Sequence, residues 1–419
     1  MLSLDKGKGV VRISEEIGGS RGTKYYYIEV SGLLEHIAEY FGQFKRYIGS
    51  SRAGKRKEFE YRIPLNVLKK LGDIVKIYEF SFSNKGYGPY IRIFKIDCEK
   101  GEITEKDGSL SNINFKIDRS VESMIEVYKR YIPDMIKRVK DIQSKLKFEL
   151  FFSGAVRLED IYNDPENAWK TAIIYSENKA RVRALESYIQ SSQELYILML
   201  VAEALNGKTV SKYGTPTWLI EKGQDYPTAI VEVNGRKFTI WYQFSIRRWI
   251  DVVFAGLMRL FGASEVVKKL QEWAMNGEFE KFERLFGVRP KDAKEAYKLI
   301  REVGKLRGRQ YVMPDIVVFE GEYEKREEIK ENPPKRALII DAKIEVGDSD
   351  IHQVLEYKRI FDQTLNGCQN NYVVACLEKI SSGHKKILEG NGIIVVEDVA
   401  PYKEGEERFK KAIKEFFEL

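Results

Sequence analysis

The chain has 419 residues, 43% hydrophobic, 32% charged and 12% aromatic, with a net charge of +7. That balance excludes a disordered or fibrous chain and suits two or three folded domains. No apolar run approaches the roughly 20 residues of a membrane-spanning helix, and the start MLSLDKGKGVVRISEE lacks an apolar signal core, so a cytoplasmic protein with no membrane partner is expected.

Three cysteines, Cys98, Cys368 and Cys376, are too few and too scattered for a disulfide framework, a four-thiolate zinc site or an iron–sulfur cluster. Only three histidines occur, none paired at metal spacing. Any metal is therefore expected on oxygen ligands, which favours magnesium, with manganese as a substitute. High Lys, Glu and Ile with sparse Gln, Cys and His resembles the bias of thermophile proteins. Residues 1–100 carry 19 Lys/Arg against 12 Asp/Glu, a surplus equal to that of the whole chain, so a polyanion such as DNA would meet this end first.

Residues 1–118 read as a basic, β-rich DNA-binding domain. Short alternating runs (TKYYYIEV, KEFEYRIPL, DIVKIYEFSF, PYIRIFKID) separated by glycines predict a small sheet or barrel, with a short helix near LLEHIAEYFGQF. Tyr25, Tyr26 and Tyr27 alternate faces, so at least one is expected to be exposed. Arg52, Lys55, Arg56 and Lys57 cluster on a glycine-containing loop beside these aromatic strands, a combination suited to nucleic-acid backbone contacts. The segment 56–80 resembles the strand–Pro–helix–Gly–strand unit of AbrB-type DNA-binding barrels.

Residues 119–190 form a helical connector, in which Pro133 is expected to end or kink a long helix. Residues 191–419 form the second domain. It opens with an apolar helix, SSQELYILMLVAEALNGK, starting at a Ser cap and stopping at Asn206-Gly207. Two strands joined by Asn234-Gly235 make a hairpin. A helical insertion, 248–306, follows, flanked by Arg247, Arg248, Arg307 and Arg309, which suit either phosphate contacts or solvated helix ends. Trp241, Tyr242 and Trp249 are expected in the core. The chain then returns to strands PDIVVFE and ALIIDAK around a charged tip at 320–335, a helix at 349–362, strands NNYVVACL and GIIVVED, and an amphipathic tail.

The chemistry concentrates in two of these strands. Residues i and i+2 of a strand share a face, so Asp341 and Lys343 point together while Ala342 points into the packing. If the strands pair antiparallel, Asp315, at the mouth of one, lies beside Asp341, at the end of the next. Converging carboxylates repel unless a cation sits between them, and a hard divalent ion would also bind phosphate and activate water. A nearby lysine can orient or deprotonate that water and offset charge on phosphorus. Glu345 would share the face of Asp341 if the strand continued.

Pro314-Asp315 followed by Asp341-Ala342-Lys343 resembles the PD-(D/E)XK nuclease superfamily, and Gln353 and Tyr357 resemble the Gln-x-x-x-Tyr helix of its RecB-like branch. Within it, the run through WYQFS, PDIVVFE and IIDAK is most similar to McrC-type restriction subunits. The resemblance implies an α/β, restriction-endonuclease-like mixed sheet flanked by helices, and a magnesium-dependent DNA endonuclease in a restriction or defence system. It implies Asp315 and Asp341 as metal ligands assisted by a helix acid, Glu194 with Glu203 in reserve, and Lys343 acting on the attacking water. Gln353 and Tyr357 would contact the DNA backbone and buttress the site. A homodimer is compatible with two-strand cutting. No Gly-x-x-x-x-Gly-Lys-Ser/Thr loop occurs, so NTP-driven work would need an NTPase partner. The rival expectation is a DNA-binding or assembly subunit whose nuclease fold is inert.

Overall fold

A computed structural model describes residues 2–17, 23–50, 57–82, 89–117, 119–153, 155–174, 179–210, 216–221, 226–244, 246–247, 263–286, 289–297, 300, 311–365 and 367–419. The chain divides into two compact units. The first comprises Met1–Lys145, Phe152–Met199 and Ala400–Tyr402; the second comprises Leu146–Phe151, Leu200–Val399 and Lys403–Leu419.

In the first unit, alternating apolar residues build nine antiparallel strands: β1 (Leu2–Asp5), β2 (Val10–Ile17), β3 (Thr23–Val30), β4 (Leu33–His36), β5 (Lys45–Ser50), β6 (Lys57–Pro64), β7 (Ile74–Phe82), β8 (Tyr90–Asp97) and β9 (Glu102–Asp107). Their order is β5-β6-β2-β3-β7-β8-β9, with β1 also on β2 and β4 also on β3. One face packs Val11, Ile13, Tyr26, Tyr61, Ile63 and Ile77 into a core. On the other, Tyr27 meets His36, Phe80 and Phe115 edge-on, and Tyr25 meets Phe82. All three tyrosines are consequently buried, against the expectation that one would be exposed. Segments distant in sequence cover the second face, which alternation along one strand cannot reveal.

The helix Arg119–Leu146 runs through Pro133 without ending. Tyr128, Ile132, Met135, Ile136, Val139 and Ile142 are fully buried on both sides of the proline, so packing along one face holds the helix where local propensity would break it. A second long helix, Lys179–Leu205, begins twelve residues ahead of the expected Ser cap, and the expected boundary at 190/191 lies inside it. Ser192 is interior and turns its hydroxyl back onto the Tyr188 carbonyl at 2.8 Å. The helix stops where Asn206 takes a left-handed conformation (φ 47) before Gly207.

The remaining strands are β10 (Glu149–Ser153), β11 (Lys208–Thr209), β12 (Thr217–Glu221), β13 (Ala229–Val233), β14 (Arg236–Tyr242), β15 (Ile246–Arg247), β16 (Tyr311–Val312), β17 (Ile316–Glu320), β18 (Arg336–Lys343), β19 (Gln369–Cys376) and β20 (Ile393–Val396). Seven of them form the second unit's mixed sheet, in the order β11-β13-β14-β17-β18-β19-β20. Asn234 and Gly235, both at positive φ, make the two-residue turn between β13 and β14. Between β14 and β17 the described part of the insertion includes the helices Ala263–Met275 and Phe279–Phe286. The charged tip at 320–335, expected as a solvated hairpin tip, carries a short helix, Arg326–Glu331.

The pairings from β11 to β18 are antiparallel; β18–β19 and β19–β20 are parallel. Parallel neighbours need crossovers, here the helices Asp348–Thr364 and Ser382–Gly390. Trp241, Val317, Phe319 and Ile339 pack against Tyr357, Ile360 and Phe361 on one side. On the other side Phe238 meets Phe417 of the C-terminal helix Glu404–Phe417. The chain is thus α/β, with a sheet covered on both faces, as its near-continuous apolar strands require. Among the described residues, no helix is long and apolar enough to cross a membrane.

Candidate metal and phosphodiester site

β17 and β18 pair antiparallel, with Ile316 opposite Ile340. Continued one step, that register sets Asp315 opposite Asp341. The ladder ends here, and Asp315 Oδ2 accepts the backbone N–H of Ala342 at 2.8 Å, replacing the missing strand partner. The Asp315 carbonyl accepts the N–H of Gln243 at 2.6 Å, which ties the strand mouth to the end of β14.

Ala342 is wholly buried, as the alternation predicts, and Asp341 and Lys343 share the opposite face. Lys343 Nζ stands 3.0 Å from Asp341 Oδ2, 3.5 Å from Asp350 Oδ1 and 3.3 Å from Gln353 Oε1. Burial works against this ammonium, but the carboxylates of Asp341, Asp315 and Asp350 outweigh it and hold its pKa above the ordinary lysine value. Asp341 is only 2% exposed, and its Oδ1 has no hydrogen-bond partner among the described residues. Such buried acceptors are normally satisfied.

The helix Asp348–Thr364 braces the site. Gln353 donates to the Tyr357 hydroxyl, and that hydroxyl donates to the Met313 carbonyl at 3.2 Å, just ahead of Pro314-Asp315. Tyr357 is 3% exposed in the core. Its hydroxyl is turned inward onto the strand mouth, so Tyr357 ties the helix to the segment ahead of Asp315. Gln353 is partly exposed.

Glu194 belongs to the first unit, where it is buried and accepts from Gln190 at 3.3 Å. Glu203, in the second unit, forms an ion pair with Lys410 at 3.1 Å, which ties it to the C-terminal helix. Among the described residues, no three His, Cys, Asp or Glu side chains gather closely enough to hold a metal ion, so the geometry at hand is a two-carboxylate site. Strand β18 ends at Lys343, and Glu345 is exposed beyond it, so Glu345 does not continue the face of Asp341. Lys57 is exposed at the start of β6; Arg52, Lys55 and Arg56 lie outside the described residues, as do Trp249, Arg248, Arg307 and Arg309.

Sequence reasoning passed over Asp350. Its Oδ2 accepts the N–H of Gly347 at 3.0 Å and caps the helix, while its Oδ1 faces Lys343. An acid three positions after Gly347 is a legible capping signal. Its second contact depends on where the helix lands.

Comparison with family models, with curated proteins and with solved structures returns no match to this chain.

Proposed function

We propose that the protein is a metal-dependent endonuclease that hydrolyses DNA phosphodiester bonds, similar to PD-(D/E)XK enzymes and in particular to restriction subunits of the McrC type. The observation that carries this reading is the placing of Asp315, Asp341 and Lys343 at adjacent strand ends, with a buried oxygen of Asp341 that has no hydrogen-bond donor among the described residues. An antiparallel hairpin followed by two parallel strands and their crossover helices is also compatible with a restriction-endonuclease-like core.

The acceptor-only chemistry of Asp341 Oδ1 and the second acid at Asp315 fit a hard divalent cation, magnesium or manganese. Such an ion, when bound, supplies charge to the phosphate and acidity to water. Asp315 and Asp341 would hold it. Lys343, favoured in its charged form by its three acidic neighbours, orients water or steadies negative charge on the phosphate. Tyr357 and Gln353 keep the Pro314-Asp315 turn and Lys343 in register. DNA contact falls to the basic first unit, where Arg46, Tyr47 and Lys57 are exposed on the paired strands β5 and β6. Restriction is the role this reading favours.

The test is cleavage of plasmid DNA by the full chain with magnesium or manganese, against a chelator control. Asp341→Asn should lower the rate by more than about a hundredfold while leaving the melting temperature of the metal-free protein near its original value. Undiminished cleavage by that variant would sink the site assignment.

A second reading is a DNA-binding or assembly subunit with an inert nuclease fold, or one silent without an NTPase partner. Its support is that Lys343 already neutralises Asp341 and that no third metal-ligand side chain joins the pair among the described residues. Calorimetry with magnesium distinguishes the inert case, which shows no metal binding. The partner-dependent case binds metal and cuts only when the partner is added.

A further inference from the structure

Lys343 sits between two acids held on different elements. Asp341 comes from the end of β18, and Asp350 from the first turn of the helix Asp348–Thr364. The distances of 3.0 and 3.5 Å to one ammonium put both carboxylates within reach of the same three N–H donors, and Gln353 at 3.3 Å takes a third direction. The two acids differ in what else they do. Asp350 has one oxygen spent on the Gly347 N–H, which fixes its carboxylate and leaves Oδ1 aimed at Lys343. Asp341 has Oδ2 on the lysine and a buried Oδ1 with no hydrogen-bond donor among the described residues.

A cation arriving at Asp341 therefore meets an ammonium already in contact with the same carboxylate. Like charges sharing one acid repel, and burial sharpens the conflict. We propose that Asp350 is a positioning residue that resolves it, drawing the Lys343 ammonium off Asp341 when a divalent cation takes that carboxylate. This rests on the metal-site reading above and names a device within it. Lys343 acts as a resident counter-ion for the acid pair. Asp350 and Gln353 form the alternative seat that keeps the ammonium beside the reaction centre once the pair is engaged. The handover needs a shift of only the lysine's end, because both seats are already within contact range.

The experiment is a double-mutant cycle read by calorimetric titration of the full chain with manganese alone, without DNA. Asp350→Asn retains an oxygen to cap Gly347 but loses the charge that attracts Lys343. It should weaken manganese binding by roughly tenfold in the wild-type background, the ammonium now staying on Asp341. Lys343→Met should tighten binding, and adding Asp350→Asn to it should change affinity by less than about twofold. Should Asp350→Asn misfold by its melting curve, Asp350→Ser offers a shorter cap that cannot reach the lysine, and the same cycle is read on it. A tenfold loss of equal size in both backgrounds overturns the proposal, because Asp350 would then act on the ion directly. Unchanged affinity in Asp350→Asn overturns it as well. If the wild-type chain binds no manganese at all, the metal-site reading fails and the handover falls with it, an outcome distinct from metal binding without coupling.

Discussion

Lys343 shows how a single residue's charge state decides between mechanisms. Desolvation would neutralise it, yet Asp341, Asp315 and Asp350 together raise its pKa beyond that of a free lysine. A cation whose folded pKa exceeds its unfolded value, about 10.4 for lysine, stabilises the fold fully below the unfolded value. That stabilisation fades only as pH climbs through the folded one. Lys343→Met should then destabilise the metal-free protein by about 3 kcal/mol, since it leaves two facing carboxylates buried without a counter-charge. Urea unfolding in chelator should show a gap between wild type and variant that is level from about pH 7 to pH 9 and narrows only in strong alkali. A gap that closed near neutrality would mean a neutral lysine there, and would reopen its use as a base.

At the scale of elements, close approach sets limits that propensity does not. A Cβ on Gly405, at the start of the C-terminal helix, would lie 2.2 Å from the Asp398 carbonyl oxygen and 2.4 Å from that of Glu397. Backbone cannot step aside as a side chain can, so Gly405→Ala should destabilise by about 2–3 kcal/mol. Gly390 meets nothing within 4 Å, and Gly390→Ala should stay within about 0.5 kcal/mol. Equal unfolding midpoints for the two variants would contradict the tight seating of that helix. The same distinction explains what could be read from sequence. The faces of Asp341, Ala342 and Lys343, the Asn234-Gly235 turn and the stop at Asn206 follow from local periodicity and turn chemistry. The burial of Tyr25, Tyr26 and Tyr27, the passage of a helix through Pro133 and the interior place of Ser192 follow from what other segments cover them. Asp350 belongs to both groups: its cap is local, and its contact with Lys343 exists only because the crossover helix returns beside β18.

For the molecule as a whole, the net charge of +7 and the concentration of that surplus in residues 1–100 lead the proposed function to assign the holding of a polyanion to the first unit and its cutting to the acid pair. Binding to a duplex in chelator should weaken linearly with the logarithm of salt as counter-ions are released. Arg46 and Lys57 stand exposed on β5 and β6. Replacing either by alanine should lower affinity across unrelated sequences and reduce the salt slope by about one. Asp341→Asn removes a negative charge and should leave affinity equal or slightly higher while cleavage is lost. Fluorescence anisotropy from about 50 to 200 mM salt reads both effects on the full chain. A slope near zero would deny the first unit a phosphate-binding surface. A normal slope unchanged by either alanine would move that surface elsewhere on the chain. Loss of affinity in Asp341→Asn would couple binding to the acid pair, and the division of labour between the two units would then be wrong.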